Sequence, residues 1–399
     1  MGRNLTTAQL QALRHVQANA LQKGDRSRAA VEGALIRRGL PPAWREFLLN
    51  GIRANGQVTL NFHPDRLLAD GFTVVEKLLQ DGVYCSQFVT GLSNGSRTAF
   101  PGGDRDRWEQ SLFGGAYQQA GVGAAERPKY GGLNLMNYAD GAAPRFGSCW
   151  FRLHPHLLQS CTFTFGDSHT GPEPVGTIDA FDNVLAALLE AEGDGGGVDW
   201  YGLGEHDRGD SVDRGGIGEH DRGDSVDRGG IGEHDRGDSV DPGSFVRHLH
   251  MLHESWQEPG GIVGRALDNY IEAQVHGEID LSEDVESLVA DPSFKGTRIG
   301  AQLEALCSKY NVTLVWHAGF RLAVSSVPDD FRGAAMPPLA KRLDRLFTVS
   351  PGVLDVAVIG RAAASLQLHP EQWQDWGTPD ETSQHLKQLW HVLVQYGRP

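Results

Sequence analysis

The chain has 399 residues, 40% of them apolar, and carries 36 Lys and Arg against 51 Asp and Glu for a formal net charge of -15. That length suits one large decorated domain or two ordinary ones, with apolar residues enough for a substantial core. The acidic balance argues against a nucleic-acid backbone as main partner; four cysteines without a C-x-x-C pair exclude a disulfide scaffold; no apolar run is long enough to span a membrane.

The first fifty-odd residues read as helices. Thr6 or Thr7 can cap a helix carrying Leu10, Leu13, Val16 and Leu21, a second runs through "SRAAVEGALIRRGL", and a third follows "PPAW". The start is polar and lacks an apolar signal core. We therefore expect a cytoplasmic protein, with export by a route that leaves no classical signal as the other option. The period then changes to two. In "QVTLNFHPDR", Val58, Leu60 and Phe62 alternate with Thr59, Asn61 and His63 until Pro64 stops the strand. A helix "TVVEKLLQDG" follows. The stretch "VYCSQFVTGLSNGSRTAFPGGDRDRWEQSLFGGAY" reads as a strand opening into a structured loop and a short helix. Three strands, "KYGGLNLMN", "FGSCWFRLHP" and "CTFTFGDS", precede a helix in "TIDAFDNVLAALLEAE".

From about Gly193 to Gly243 the chain is mostly Gly, Asp, Arg and Glu. A near-identical 14-residue unit starts at Glu205, Glu219 and Glu233. Within it, Gly209 to Gly215 spells G-D-x-x-D-R-G, a string used by metal-dependent phosphatases. Metal work needs the first Asp at the end of a buried apolar strand, and here "GEHDR" precedes it. The third copy reads "GDSVDPG", and no closing G-N-H-[DE] string lies downstream. We expect a disordered insert. Loop closure for about 45 flexible residues costs only about 3 kcal/mol. Beyond it come a helix "FVRHLHMLHESW", a strand "NYIEAQVHGEI", a helix "IGAQLEALCSKY", one long strand "VTLVWHAGFRLAVSSV" and a mixed tail ending in an amphipathic helix through Leu386, Leu389, Val392 and Val394. The pattern is α+β.

Two strands carry unusual polar faces. Tyr270, Glu272, Gln274 and His276 oppose Ile271, Ala273 and Val275, as Thr59, Asn61 and His63 oppose the apolar side of the earlier strand. A one-sided wet sheet is the bland explanation. Asn, Gln, His and a single Glu are not the usual solvated set, and the glycines of "TGLSNG", "PGGDRD" and "KYGG" allow close backbone approach to a ligand.

The runs "NFHPDR", "YCSQFVTGLSNGSRTAFPGGDRDRWE", "RPKYGGLNL", "RFGSCWFRL", "CTFTFGDSH", "YIEAQVHG" and "DPSFKGT" resemble a bacterial family catalogued as domain of unknown function 3626. That family has been linked to the ADP-ribosyltransferase superfamily and includes effector-type enzymes. The resemblance implies split antiparallel β-sheets with helical N-terminal and C-terminal extensions: a helical region 1–56, a core 57–330 interrupted by the insert at about 194–243, and a mixed or helical region 331–399. It also implies NAD as co-substrate, bound between two small sheets and cleaved at the nicotinamide–ribose bond through an oxocarbenium-like sugar. Such chemistry needs a carboxylate beside the ribose.

On the resemblance, Glu272 is the candidate carboxylate, with Glu278 as rival beyond Gly277. His63 is the candidate first-strand residue, Arg66 is near enough to meet a pyrophosphate, and Tyr130 supplies a ring for the nicotinamide. Ser148 rivals Tyr130 for the second-strand position, Ser93 and Asn94 contribute from a loop, and Gln274 faces the same side as Glu272. No metal is implied. The partner is a protein acceptor, with arginine one option, since Tyr270 stands where arginine-modifying enzymes place Glu or Gln. The oligomeric state is open. Two other readings compete: a metal-dependent phosphoesterase using Asp167 and His169 with His63, Asp65 or Asp104, and a non-catalytic nucleotide-binding module.

Overall fold

The computed structural model describes residues 4–91, 99–171, 174–191 and 263–399. Ser93, Asn94, the repeat and the helix expected in "FVRHLHMLHESW" lie outside the described residues.

The three N-terminal helices form as expected: α1 (Thr7–Gln22), α2 (Gly24–Arg37) and α3 (Trp44–Asn55). The Thr6 hydroxyl accepts from the backbone N–H of Gln9, and the Gln9 side chain accepts in return from the Thr6 N–H. Next come β1 (Val58–Phe62), α4 (Val74–Asp81), a single turn α5 (Gln87–Thr90) and α6 (Asp104–Leu112), then β2 (Lys129–Leu133), β3 (Cys149–Leu153), β4 (Cys161–Phe165), β5 (Val175–Thr177) and α7 (Asp182–Ala191). After the undescribed stretch, β6 (Ile271–Val275), β7 (Val285–Ala290) and β8 (Thr313–Trp316) complete one eight-stranded sheet in the order β5-β4-β6-β2-β1-β3-β7-β8. Its pairings are antiparallel except β7 with β8. A separate pair joins β9 (Arg321–Ala323) to β10 (Val353–Asp355).

The chain is thus α+β, with helices at both ends of a mixed sheet. The eight strands are hydrogen-bonded as one sheet. Its centre is a narrow joint, because β1 meets β2 at only Val58–Leu133 and Thr59–Gly132 while it meets β3 at four positions. Val58, Leu60 and Phe62 point into a core that runs from Val31 to Val394, so both helical ends share it. A smaller cluster packs Ala8, Ala12 and Val16 of α1 on Phe113, Tyr117 and Val175.

Several local expectations change. The strand expected at "VYCSQ" is only a bridge between Val83 and Asp280. The long strand from Val312 to Val327 breaks at Gly319, whose φ of +90° no strand residue adopts; β8 stays in the large sheet and β9 leaves it. Three strands, β5, β7 and β10, go beyond the sequence expectation. "VESLVA" is an apolar run with little alternation, and such a run does not distinguish a buried strand from a helix.

Candidate functional site

The polar faces of β1 and β6 are neither wet nor open. Every residue of both strands is buried. Pairing sets Thr59 opposite Gly132, Gly132 opposite Glu272, and Glu272 opposite Thr164, so these residues share one row. A second row runs through Tyr130, Gln274, Thr162 and Thr177. Directly paired residues point to the same side, so both rows occupy one face.

On that face Glu272 is 4% exposed. Its Oε2 accepts from the Tyr270 hydroxyl at 3.1 Å and its Oε1 from Gln274 Nε2 at 2.9 Å. Gln274 Nε2 also donates to Thr164 Oγ1, and Gln274 Oε1 accepts from Thr162 at 2.7 Å. His276 ends the row, with Nε2 3.1 Å from Thr162 Oγ1 and Nδ1 bonded to the Tyr117 hydroxyl. Burial holds His276 neutral, down to about 3. Burial, followed by the charge of Asp167, raises the Glu272 carboxyl to about 7, although Ser168, Gln274 and Tyr270 hydrogen-bond to it. Glu278 is exposed beyond Gly277, whose φ is +94°.

Helix α6 brings a second group to the same face. Arg105, Trp108 and Glu109 lie at i, i+3 and i+4, so one side of the helix presents all three. The Tyr130 hydroxyl donates to Glu109 Oε1 at 2.8 Å, and Arg127 Nη1 donates to Glu109 Oε2 at 2.9 Å. Arg127 also pairs with Asp106 at 2.6 Å. Glu109 is fully buried, and that burial lifts its carboxyl to about 7 against the opposing pull of Arg127, Arg105 and Tyr130. Arg105 lies over the Trp108 ring at 4.4 Å and over the Tyr130 ring at 4.5 Å. Burial raises the Tyr130 hydroxyl well above its ordinary value, with Glu109 and Glu272 both adding to the rise. Tyr130, Glu109, Arg105 and Glu272 therefore form one neighbourhood. Sequence reading noted Trp108 only as one of several accumulating aromatics and missed Arg105 and Glu109, because "DRDRWEQSL" looks like a solvated helix; an Arg, an indole and a Glu on one side was the usable signal.

His63 is not brought to Glu272. It lies four residues past Thr59 along β1, about 13 Å by strand rise. Its ring meets Trp390 of the C-terminal helix Pro379–Tyr396 at 5.2 Å. Burial, then Arg66, depresses its pKa well below the ordinary value. Between the two, the segment after β2 occupies the face. Ala142 N–H donates to Thr59 Oγ1 at 3.0 Å, and Asn61 Nδ2 donates to the carbonyls of Asp140 and Gly147. Arg66 sits in the field of Asp65. The Ser148 carbonyl accepts from His317 at 3.2 Å, so Ser148 belongs with His317 rather than with Tyr130. Asp167 and His169 pair at 2.6 Å just past β4. Burial pushes Asp167 up, but His169 and then Arg145 offset this and leave it low. Asp104 is exposed and pairs with Arg107. Among the described residues no three His, Cys, Asp or Glu are arranged to hold a metal ion, and no helix is long and apolar enough to cross a membrane.

Comparison with protein families matches residues 57–194 and 236–396 to the family described as "Protein of unknown function (DUF3626)". The match spans most of the chain, and the chain belongs to that family. The two matched segments flank 195–235, which takes in most of the repeat. Compared with curated proteins, the chain matches none.

Proposed function

We propose that this family member cleaves NAD between nicotinamide and ribose and passes ADP-ribose to a protein acceptor, with Glu272 as the carboxylate beside the reacting sugar. The observation that carries the reading is a buried strand carboxylate, Glu272, oriented by Tyr270 and Gln274 and next to a ring, Tyr130, on the neighbouring strand. A sugar that becomes positively charged gains most from an anion that water does not screen. The raised pKa of Glu272 reflects that environment: among the described residues no cation pairs with its charge, and a developing oxocarbenium ion would supply one.

The sheet arrangement supports the same reading. The strands bearing Thr59, Tyr130 and Glu272 are consecutive neighbours, and the two-pair joint between β1 and β2 divides the eight strands into two fours, as the resemblance to ADP-ribosyltransferases implies. Tyr130 and Glu272 carry the proposal; His63, Arg66 and Ser148 lie in a different neighbourhood and are not needed for it.

The test is nicotinamide release from NAD by the wild type and by Glu272→Gln, which keeps the shape and removes the charge. Release should fall by at least about 100-fold. Equal release by both proteins, or none by the wild type even with cell extract as acceptor, would defeat the proposal.

A further inference from the structure

We infer that Arg105 is the anion-binding residue of this site and takes a phosphate oxygen of a nucleotide diphosphate ligand. The inference rests on reading the Glu272 face as a dinucleotide site, and it names the group that recognises the charged middle of the ligand.

The starting point is an unmet demand. Arg105 is 9% exposed, yet its Nε and Nη1 are both shielded from water without a hydrogen-bond partner. Buried guanidinium donors are normally satisfied; among the described residues Arg145, Arg152, Arg332 and Arg342 each leave Nε unpaired, and Arg105 alone leaves two donors so. The obvious internal partners are already committed. Glu109 is held by Arg127 and Tyr130. Asp106 is held by Arg127, by Gln118 at 2.8 Å and by the Gly102 N–H at 2.7 Å. Arg127 thus takes both carboxylates and leaves Arg105 as the surplus cation.

Its surroundings say what kind of anion fits. The Trp108 and Tyr130 rings touch the guanidinium and fix where it sits. A guanidinium donates only in its own plane, in a fork that matches two oxygens of one phosphate. Tyr130 is also the residue whose hydroxyl lies in the field of Glu272. Arg105 and Glu272 thus both border Tyr130, and a ligand whose sugar lies at Glu272 has this guanidinium as a neighbour for its attached phosphates. A nucleotide diphosphate has that layout: aromatic ring, ribose, then two phosphates.

Calorimetric titration tests this with three probes on the full-length protein: ADP-ribose, inorganic pyrophosphate and adenosine. ADP-ribose affinity should drop about 10- to 100-fold in Arg105→Gln and about tenfold in Arg105→Lys, which keeps the charge but loses the fork. Adenosine binding should not respond to either change. Wild-type affinity for ADP-ribose in a folded Arg105→Gln protein, or in Arg105→Lys should the first fail to fold, overturns the inference. A shift in thermal midpoint without a change in affinity would mark Arg105 as a packing residue only and overturn it too. Failure of the wild type to bind any phosphate probe also overturns it. If pyrophosphate binding depends on Arg105 but no nicotinamide is released, the anion site stands and the NAD-cleavage reading falls.

Discussion

Replacing Glu272 by Gln should change how stability depends on pH, and the size of the change follows from the structure. In the unfolded chain the carboxyl ionises near its ordinary value of 4.5; in the folded protein burial and Asp167 delay ionisation to about 7. Between these values the unfolded state binds fewer protons than the native state, so stability falls as pH rises. The loss begins near 4.5 and is complete above about 7. At 1.36 kcal/mol per pH unit, the gap amounts to about 3 kcal/mol. Gln mimics the neutral carboxyl, with one oxygen that accepts and one group that donates, as in a protonated Glu. The variant should therefore gain on the wild type by about 3 kcal/mol on going from about pH 4.5 to about pH 8. Urea unfolding across that range measures it. A difference between the two proteins that stays flat with pH would show that Glu272 is not held above its ordinary value, and the electrostatic part of the functional argument would go with it.

Two further perturbations probe the scaffold behind the site. Arg127→Met removes the partner of a fully buried carboxylate, Glu109; urea unfolding should show a loss of about 3–5 kcal/mol, and the additional change Glu109→Gln should recover much of it. Gly131→Ala would set a methyl group 2.3 Å from the Thr59 carbonyl oxygen and 2.7 Å from Leu60 Cδ2. Two paired backbones cannot both retreat, so the thermal midpoint should drop by the equivalent of about 1–3 kcal/mol or more; an unchanged midpoint would mean that β2 does not press this closely on β1.

The sequence made some of this legible and hid the rest for identifiable reasons. Period-two alternation in "QVTLNF" and "YIEAQV" is a local property, and it placed Thr59, Asn61, Glu272 and Gln274 on the correct side of their strands. What covers that side is not local. Thr59 is met by Ala142, 83 positions away, and Asn61 by Asp140 and Gly147, 79 and 86 away. Alternation alone therefore left wet face and cleft both open, where the structure has a packed polar layer. His63 shows the complementary limit. Its parity puts it on the same side as Thr59, but parity says nothing of distance along the strand, and four residues carried it to Trp390. Helix α6 itself was legible, but the inward side of it was hidden by composition, since Asp, Arg and Glu in a nine-residue helix usually face solvent.

The row through Thr59, Gly132, Glu272 and Thr164 also limits how this chain can change length over evolutionary time. One residue gained or lost inside β1, β2, β4 or β6 would turn every later side chain of that strand to the opposite side, sending Glu272 or its neighbours into the apolar core. Length is free to vary only in the connections. The interval 195–235, which the family match passes over, falls between the end of α7 at Ala191 and the start of β6 at Ile271. Tandem copies can accumulate there while the row on either side keeps its alignment.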